Sequence, residues 1–257
     1  MEITIKNLKT SYIEKGSGEF IFILHGWGSK KEVHHNMIEL MSKKYRVIAL
    51  DLPGFGESSE PTTPWQVSDY VDFVEEFIEH FKPKIVNLLG HSYGGRIIIK
   101  MASKDNLPFK LNKLILVDSA GIKPKRTMSY YYKVYTYKIG KKFLSTNLLM
   151  KNFPELYEHY ISKAGSSDYK QASSIMKKTM SLSVNEDLTK HLKKIKEETL
   201  LVWGENDTAT PLSDGKLMKK EIKNSGLVSI KNAGHYSFID QQMTFNSTIS
   251  KFLDIDV

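Results

Sequence analysis

"LLGHSYGGRIII", residues 88–99, interrupts an aliphatic run with a turn of small residues and sets a single hydroxyl, Ser92, at its centre. Gly90 ends the first aliphatic run and Gly94 and Gly95 precede the second, so Gly90-His91-Ser92-Tyr93-Gly94 has the form G-x-S-x-G. The residues before it read as a strand, 84–90, and residues 93–104 read as a helix. A strand that turns so tightly into a helix needs small residues two positions either side of the serine, and Gly90 and Gly94 supply them. The hydroxyl is then lifted clear of the sheet, with a helix N-terminus behind it to favour developing negative charge. The stretch alone leaves two readings: a nucleophile, or merely a strand meeting a helix.

Upstream, "EITIK" (2–6) and "TSYIEK" (10–15) read as an antiparallel hairpin, and "FIFIL" (20–24) is a continuous apolar run of the kind a strand buried on both faces requires. "KKEVHHNMIELMSK" has helical spacing, and "YRVIALDLPG" reads as a strand closed by a Pro-Gly turn. In "VSDYVDFVEEFIEHF", Val67, Tyr70, Val71, Val74, Phe77, Ile78 and Phe81 fall on one stripe of a helix, with Ser68 or the Thr63 region as its cap. Downstream come a strand over 111–119, a break in the pattern, then "TLLVWGEND" (199–207), a helix from Pro211, a strand over 226–230 and a final helix from about Gln241. Repeated strand-helix-strand order means an α/β fold with a parallel sheet covered on both faces. Residues 122–190 hold no convincing buried strand and carry eight of the thirteen tyrosines. The organisation expected is therefore a core over 1–120 and 191–257 interrupted by a helical insertion over 121–190.

The chain has 257 residues, 40% of them hydrophobic and 26% charged, which is globular composition with room for a substantial core. Cysteine is absent, so disulfides and thiolate metal sites are excluded. The N-terminus has no apolar run fit for a signal peptide, and no window reaches the roughly 18 apolar residues of a membrane span. A cytoplasmic protein is the expectation. The net charge of +8 suggests nucleic acid until it is located: residues 121–190 hold thirteen Lys and Arg against five Asp and Glu, so the rest of the chain is neutral. A local excess of this kind marks a solvated helical surface, or a sharper role toward an anionic substrate, and no nucleic-acid partner is expected.

A serine hydroxyl needs a base within hydrogen-bond reach. His235, in "KNAGHYSF", lies in a glycine-containing loop after the last strand, at the strand end where sites of such sheets gather. His91 is read as locked inside the elbow and turned away, His25 as structural, and His34, His35, His80, His159 and His191 as surface or packing residues. The base needs an acid to hold its tautomer. Asp207, after the penultimate strand, is favoured over Glu205, and Asp118 at the end of "LILVD" is its rival. An oxyanion needs donors; Tyr93 offers the N–H after the nucleophile, and Trp27, bracketed by glycines in "LHGWGS", offers the second.

In order, "HGWG", "DLPGFGES", "GHSYGG", "WGENDTATP" and "GHYSF" resemble the α/β-hydrolase superfamily over essentially the whole chain. The chain looks most like lidded bacterial carboxylesterases, including pimeloyl-carrier-protein methyl ester esterases, and meta-cleavage-product hydrolases. The resemblance implies a mostly parallel eight-stranded sheet flanked by helices, with residues 121–190 as a helical lid inserted after strand 6. It also implies Ser92 as nucleophile, Asp207 as acid, His235 as base, and the N–H groups of Trp27 and Tyr93 as the oxyanion hole. Relatives that open epoxides or remove halide carry an aspartate where this chain has Ser92, which disfavours those reactions. No cofactor or metal is expected, because the His and carboxylate positions lack metal-ligand spacing. "DLPGFGES" lacks the Lys-Ser/Thr ending of a phosphate loop and reads as a structural turn.

Within the insertion, "MSYYYKVYTYKIGKKF" (128–143) read as a helix puts Tyr132, Tyr135, Ile139 and Phe143 on one face and Lys133 and Lys141 on another. The apolar face is expected to pack inward and line a substrate pocket. The function expected is esterase action through an acyl-enzyme on a small-molecule ester, by a monomer or homodimer. Carbon–carbon bond hydrolysis of the meta-cleavage type and a ligand-sensing protein without turnover are the alternatives.

Overall fold

The structure, a computed structural model, describes residues 1–124, 128–146, 151–162 and 172–256. Eight strands form one sheet: β1 (Glu2–Ile5), β2 (Leu8–Lys15), β3 (Phe20–Leu24), β4 (Arg46–Leu50), β5 (Ile85–His91), β6 (Lys110–Val117), β7 (Glu198–Gly204) and β8 (Ser225–Ile230). Their order is β1-β2-β4-β3-β5-β6-β7-β8. The β1/β2 and β2/β4 pairs are antiparallel and every later pair is parallel, as strands joined through helices must be. Register is fixed by continuous apolar runs: Ile21–Leu24, Val47–Leu50 and Leu114–Val117 are buried without interruption.

The crossover helices are α1 (His35–Met41), α2 (Val67–His80), α3 (Tyr93–Ala102) and α8 (Leu212–Glu221); α6 (Ser174–Asn185) and the short α7 (Thr189–Leu192) precede β7, and the short α9 (Ser237–Asp240) and α10 (Gln242–Leu253) follow β8. Helix α2 buries Val67, Tyr70, Val71, Phe73, Val74, Phe77 and Ile78, the stripe its spacing predicts. Each such side chain contributes about 1.5–3 kcal/mol when taken from water. Neither Ser68 nor Thr63 caps this helix; Gln66 does, its N–H donating to Asp69 Oδ2 at 2.6 Å. The N3 carboxylate reaches back to the first free donor, which Ser68, already inside the helix, cannot satisfy.

The chain divides into two compact units, one of Met1–Lys123 with Ser181–Val257, the other of Pro124–Met180. Residues 181–190, grouped by sequence with the insertion, belong to the first unit: Ser183 Oγ lies 3.0 Å from Tyr93 Oη, and Arg96 Nη1 donates to Glu186 O at 2.6 Å. Gly121 O, just before the chain leaves this unit, accepts Leu188 N–H at 2.9 Å after the chain has returned to it. In the second unit α4 (Met128–Leu144) packs on α5 (Pro154–Ser162). Tyr137 stacks on Tyr160 with ring centroids 5.3 Å apart, and a side chain at Gly140 would run into the Tyr160 ring. The opposite face of α4 is exposed: Tyr132 72%, Tyr135 67%, Ile139 53% and Phe143 65%. Within this unit those four residues do not pack inward as expected, because α4 turns the half-buried Tyr137 and Gly140 towards α5 instead. The side chain of Lys133 lies outside the described residues.

Candidate active site

Ser92 stands at the junction of β5 and α3 with φ +49 and ψ −107, a backbone conformation that costs an L-residue about 1–3 kcal/mol. The surroundings hold it there. Its N–H donates to Val117 O at 3.0 Å, and its carbonyl accepts Ala120 N–H at 2.9 Å. A Cβ on Gly90 would come within 2.6 Å of the Gly94 backbone, and one on Gly94 would meet the Leu24 carbonyl, so the turn closes only with glycine at both positions. The elbow is therefore a sequence-encoded strain that lifts one hydroxyl above the parallel strand ends.

Two loops from distant parts of the chain meet that hydroxyl. His235, in the loop between β8 and α9, places Nε2 2.9 Å from Ser92 Oγ. Its Nδ1 lies 2.8 Å from Asp207 Oδ2, in the loop after β7. Asp207 is buried, and its second oxygen accepts the N–H groups of Ala209 at 2.8 Å and Thr210 at 3.0 Å. Burial alone would raise its pKa, but the bonds from His235 and Thr210 outweigh it and hold the carboxyl below its ordinary value. An ionised acceptor on Nδ1 leaves Nε2 free of its proton and facing the serine.

Asp118, the rival acid, is wholly buried, but its carboxylate accepts backbone N–H groups from Gly204 at 2.8 Å and Ser237 at 3.0 Å. Burial, aided by the nearby Asp207 charge, pushes it up to about 7 against those two bonds. The geometry joins Asp207, not Asp118, to His235.

Trp27 lies in the turn after β3, and a Cβ on its neighbour Gly26 would stand 3.2 Å from Ser92 Cβ, so this turn abuts the serine. Its indole packs edge-on against Phe55 at 4.9 Å and Tyr93 at 5.2 Å. Tyr93 opens α3, so its N–H is among those a helix leaves without an internal acceptor. Among the described residues, no backbone acceptor takes the N–H of Trp27 or Tyr93. Beside these loops lies a cleft of about 440 Å³ lined by Gly28, Ser29, Val33, Tyr236 and Ile239.

Two residues escape the sequence reading. Thr210 Oγ1 lies 2.7 Å from Asp207 Oδ2 and 3.3 Å from His235 Nδ1; a Thr three residues after an Asp in a turn is the signal that would have found it. His91, read as turned away, has Nε2 2.8 Å from His235 O, so it supports the loop of the base. His25 is structural: Nδ1 faces Gly26 O at 2.7 Å, and Nε2 accepts Leu52 N–H at 2.9 Å. Among the described residues no group of three or more ligating side chains is placed to hold a metal ion.

Known proteins are similar to this chain over nearly its whole length. The chain is 29% identical to the AB hydrolase superfamily protein YisY of Bacillus subtilis, across 95% of each. It is 24% identical to the pimeloyl-[acyl-carrier protein] methyl ester esterase of Nitrosomonas europaea, across 87% of this chain and 91% of that one. The meta-cleavage product hydrolase of Pseudomonas fluorescens IP01 shares the fold, with a TM-score of 0.73 at 20% identity over 99% of this chain and 97% of its own. The family model of the alpha/beta hydrolase fold matches residues 19–242, from the first strand of the parallel sheet into the last helix, and the chain belongs to that family.

Proposed function

We propose that this protein is a serine hydrolase of carboxylic esters. The observation that carries the reading is the row Ser92 Oγ, His235, Asp207, joined at 2.9 and 2.8 Å. In this scheme His235 takes the serine proton as Oγ attacks the ester carbonyl, while Asp207 holds the Nδ1–H tautomer and stabilises the imidazolium. The oxyanion is received by the N–H groups of Trp27 and Tyr93. His235 passes its proton to the departing alcohol, leaving the acyl group on Ser92. Water, deprotonated by His235, then releases the acid and restores the serine. The scheme calls for no cofactor. The insertion, with the charge excess of residues 121–190, is assigned the role of a lid that favours anionic esters.

Ser92→Ala should keep the fold and ligand binding and lose ester turnover by several orders of magnitude. A fluorophosphonate should label the peptide that contains Ser92. Ordinary turnover in Ser92→Ala would sink the reading. The similarity to a meta-cleavage product hydrolase supports a second reading, hydrolysis of a carbon–carbon bond by the same residues. A panel that sets a vinylogous diketone beside p-nitrophenyl esters separates the two.

A further inference from the structure

Asp118 follows β6 with φ +45, outside the comfortable range of an L-residue, and its side chain is wholly buried. One carboxylate oxygen accepts Gly204 N–H at 2.8 Å and the other accepts Ser237 N–H at 3.0 Å. Gly204 ends β7, three residues before Asp207, and Ser237 begins α9, two residues after His235. The main chain of Asp118 is committed to the same place. Its N–H donates to Val202 O at 2.9 Å, and its carbonyl lies 2.9 Å from Thr210 Oγ1, the hydroxyl that also faces Asp207 and His235. One residue just past a third strand is thus bonded to both loops that carry the acid and the base.

The chemical type matters as much as the placement. Two N–H donors approach two different oxygens, and only a carboxylate offers an acceptor to each. An amide of the same shape would accept one and turn its NH2 group against the other. A bare turn or strand cap needs no such acceptor-only fork, and burying one costs stability unless both bonds form. The Asp207 loop and the His235 loop are drawn to one point by the two ends of one small, rigid group.

We propose that Asp118 is a positioning residue, which sets the separation of the Asp207 and His235 loops and so keeps the hydrogen bond between those side chains; this rests on the reading of Ser92, His235 and Asp207 as the catalytic row. It touches neither the serine nor a substrate, so its effect passes through His235.

The test uses the full-length protein with Asp118→Asn and Asp118→Ala, at a pH above 7 where the Asp118 carboxyl is ionised. Three quantities are read: the low-field proton resonance of the His235–Asp207 bond, the rate of fluorophosphonate labelling at Ser92, and kcat and KM on an ester. Asp118→Asn should keep the wild-type circular dichroism and KM, shift or broaden the low-field resonance, and lower kcat and the labelling rate about 10²-fold, the effect expected of a displacement near 1 Å. Asp118→Ala should lose at least as much. Wild-type resonance and labelling rate in Asp118→Asn would overturn the proposal. So would loss of the circular dichroism signal in that variant, since the role would then be structural. The resonance is recorded without substrate, so a protein that hydrolyses no ester would defeat the proposed function while leaving this inference separately visible.

Discussion

Lys31 is a cation inside the protein: its side chain is 4% exposed, and Nζ lies 2.8 Å from Asp51, 2.9 Å from Glu57 and 2.8 Å from Glu32. Burial alone would depress its pKa, but the carboxylates outweigh burial and raise it. Its backbone N–H also donates to Asp51 Oδ1 at 2.7 Å. The stretch "DLPGFGES" thereby acquires a physical role, since Asp51 fastens the turn that carries Trp27, and a Cβ on Gly56 would strike the Asp51 carboxylate. Lys31→Met would strand a fully buried carboxylate and should lower stability by about 3–5 kcal/mol, read from urea denaturation. An unchanged midpoint would mean that the pair contributes nothing net. At this scale the sequence is legible where chemistry and position coincide, as at Ser92 and His235, which the fold brings within 2.9 Å. It is illegible where a residue acts through a partner far along the chain. His91 meets the His235 carbonyl and Asp118 meets Gly204 and Ser237, and no local pattern announces either contact.

Elements with one strong period are the most legible in the sequence. The run at Phe20–Leu24 is a strand over those residues, and α2 buries the face that its spacing marks. Helix α4 defeats the same method because tyrosine serves either face: Tyr137 stacks on Tyr160 while Tyr132 and Tyr135 are exposed. A ring with an apolar body and a polar tip gives the pattern no clear side. The lysines of this helix carry a prediction of their own. Changing Lys133, Lys138, Lys141 and Lys142 to Ser should raise KM for anionic esters, more at low salt, and leave neutral esters unaffected. Equal losses on both would rule out charge steering.

Taken whole, the molecule has a predictable response to pH. Burial holds His25, His34 and His91 below the ordinary 6.5, His91 at about 3. The unfolded chain takes up these protons near pH 6.5 and the folded chain does not, so their stability is full above 6.5 and is lost as pH falls. Asp118 runs oppositely: its carboxyl is raised from 3.8 to about 7, so its contribution is full below 3.8 and is lost as pH rises through about 7. Three groups oppose one across most of that range. Tm should therefore climb with pH and level off above about 7, and Asp118→Asn, which removes the one opposing group, should steepen the climb. A Tm that falls as pH rises towards 7, or an unchanged slope in Asp118→Asn, would contradict this.

The bond from Leu188 N–H to Gly121 O has a consequence for how such a chain can change. It pins together the two strands of backbone that lead out to Pro124–Met180 and back. With both ends already joined, what hangs between them is to the sheet only a loop, and doubling a loop costs about 0.6 kcal/mol. The junction works as a socket: segments of very different length can be exchanged there at little cost in loop closure to the frame beneath.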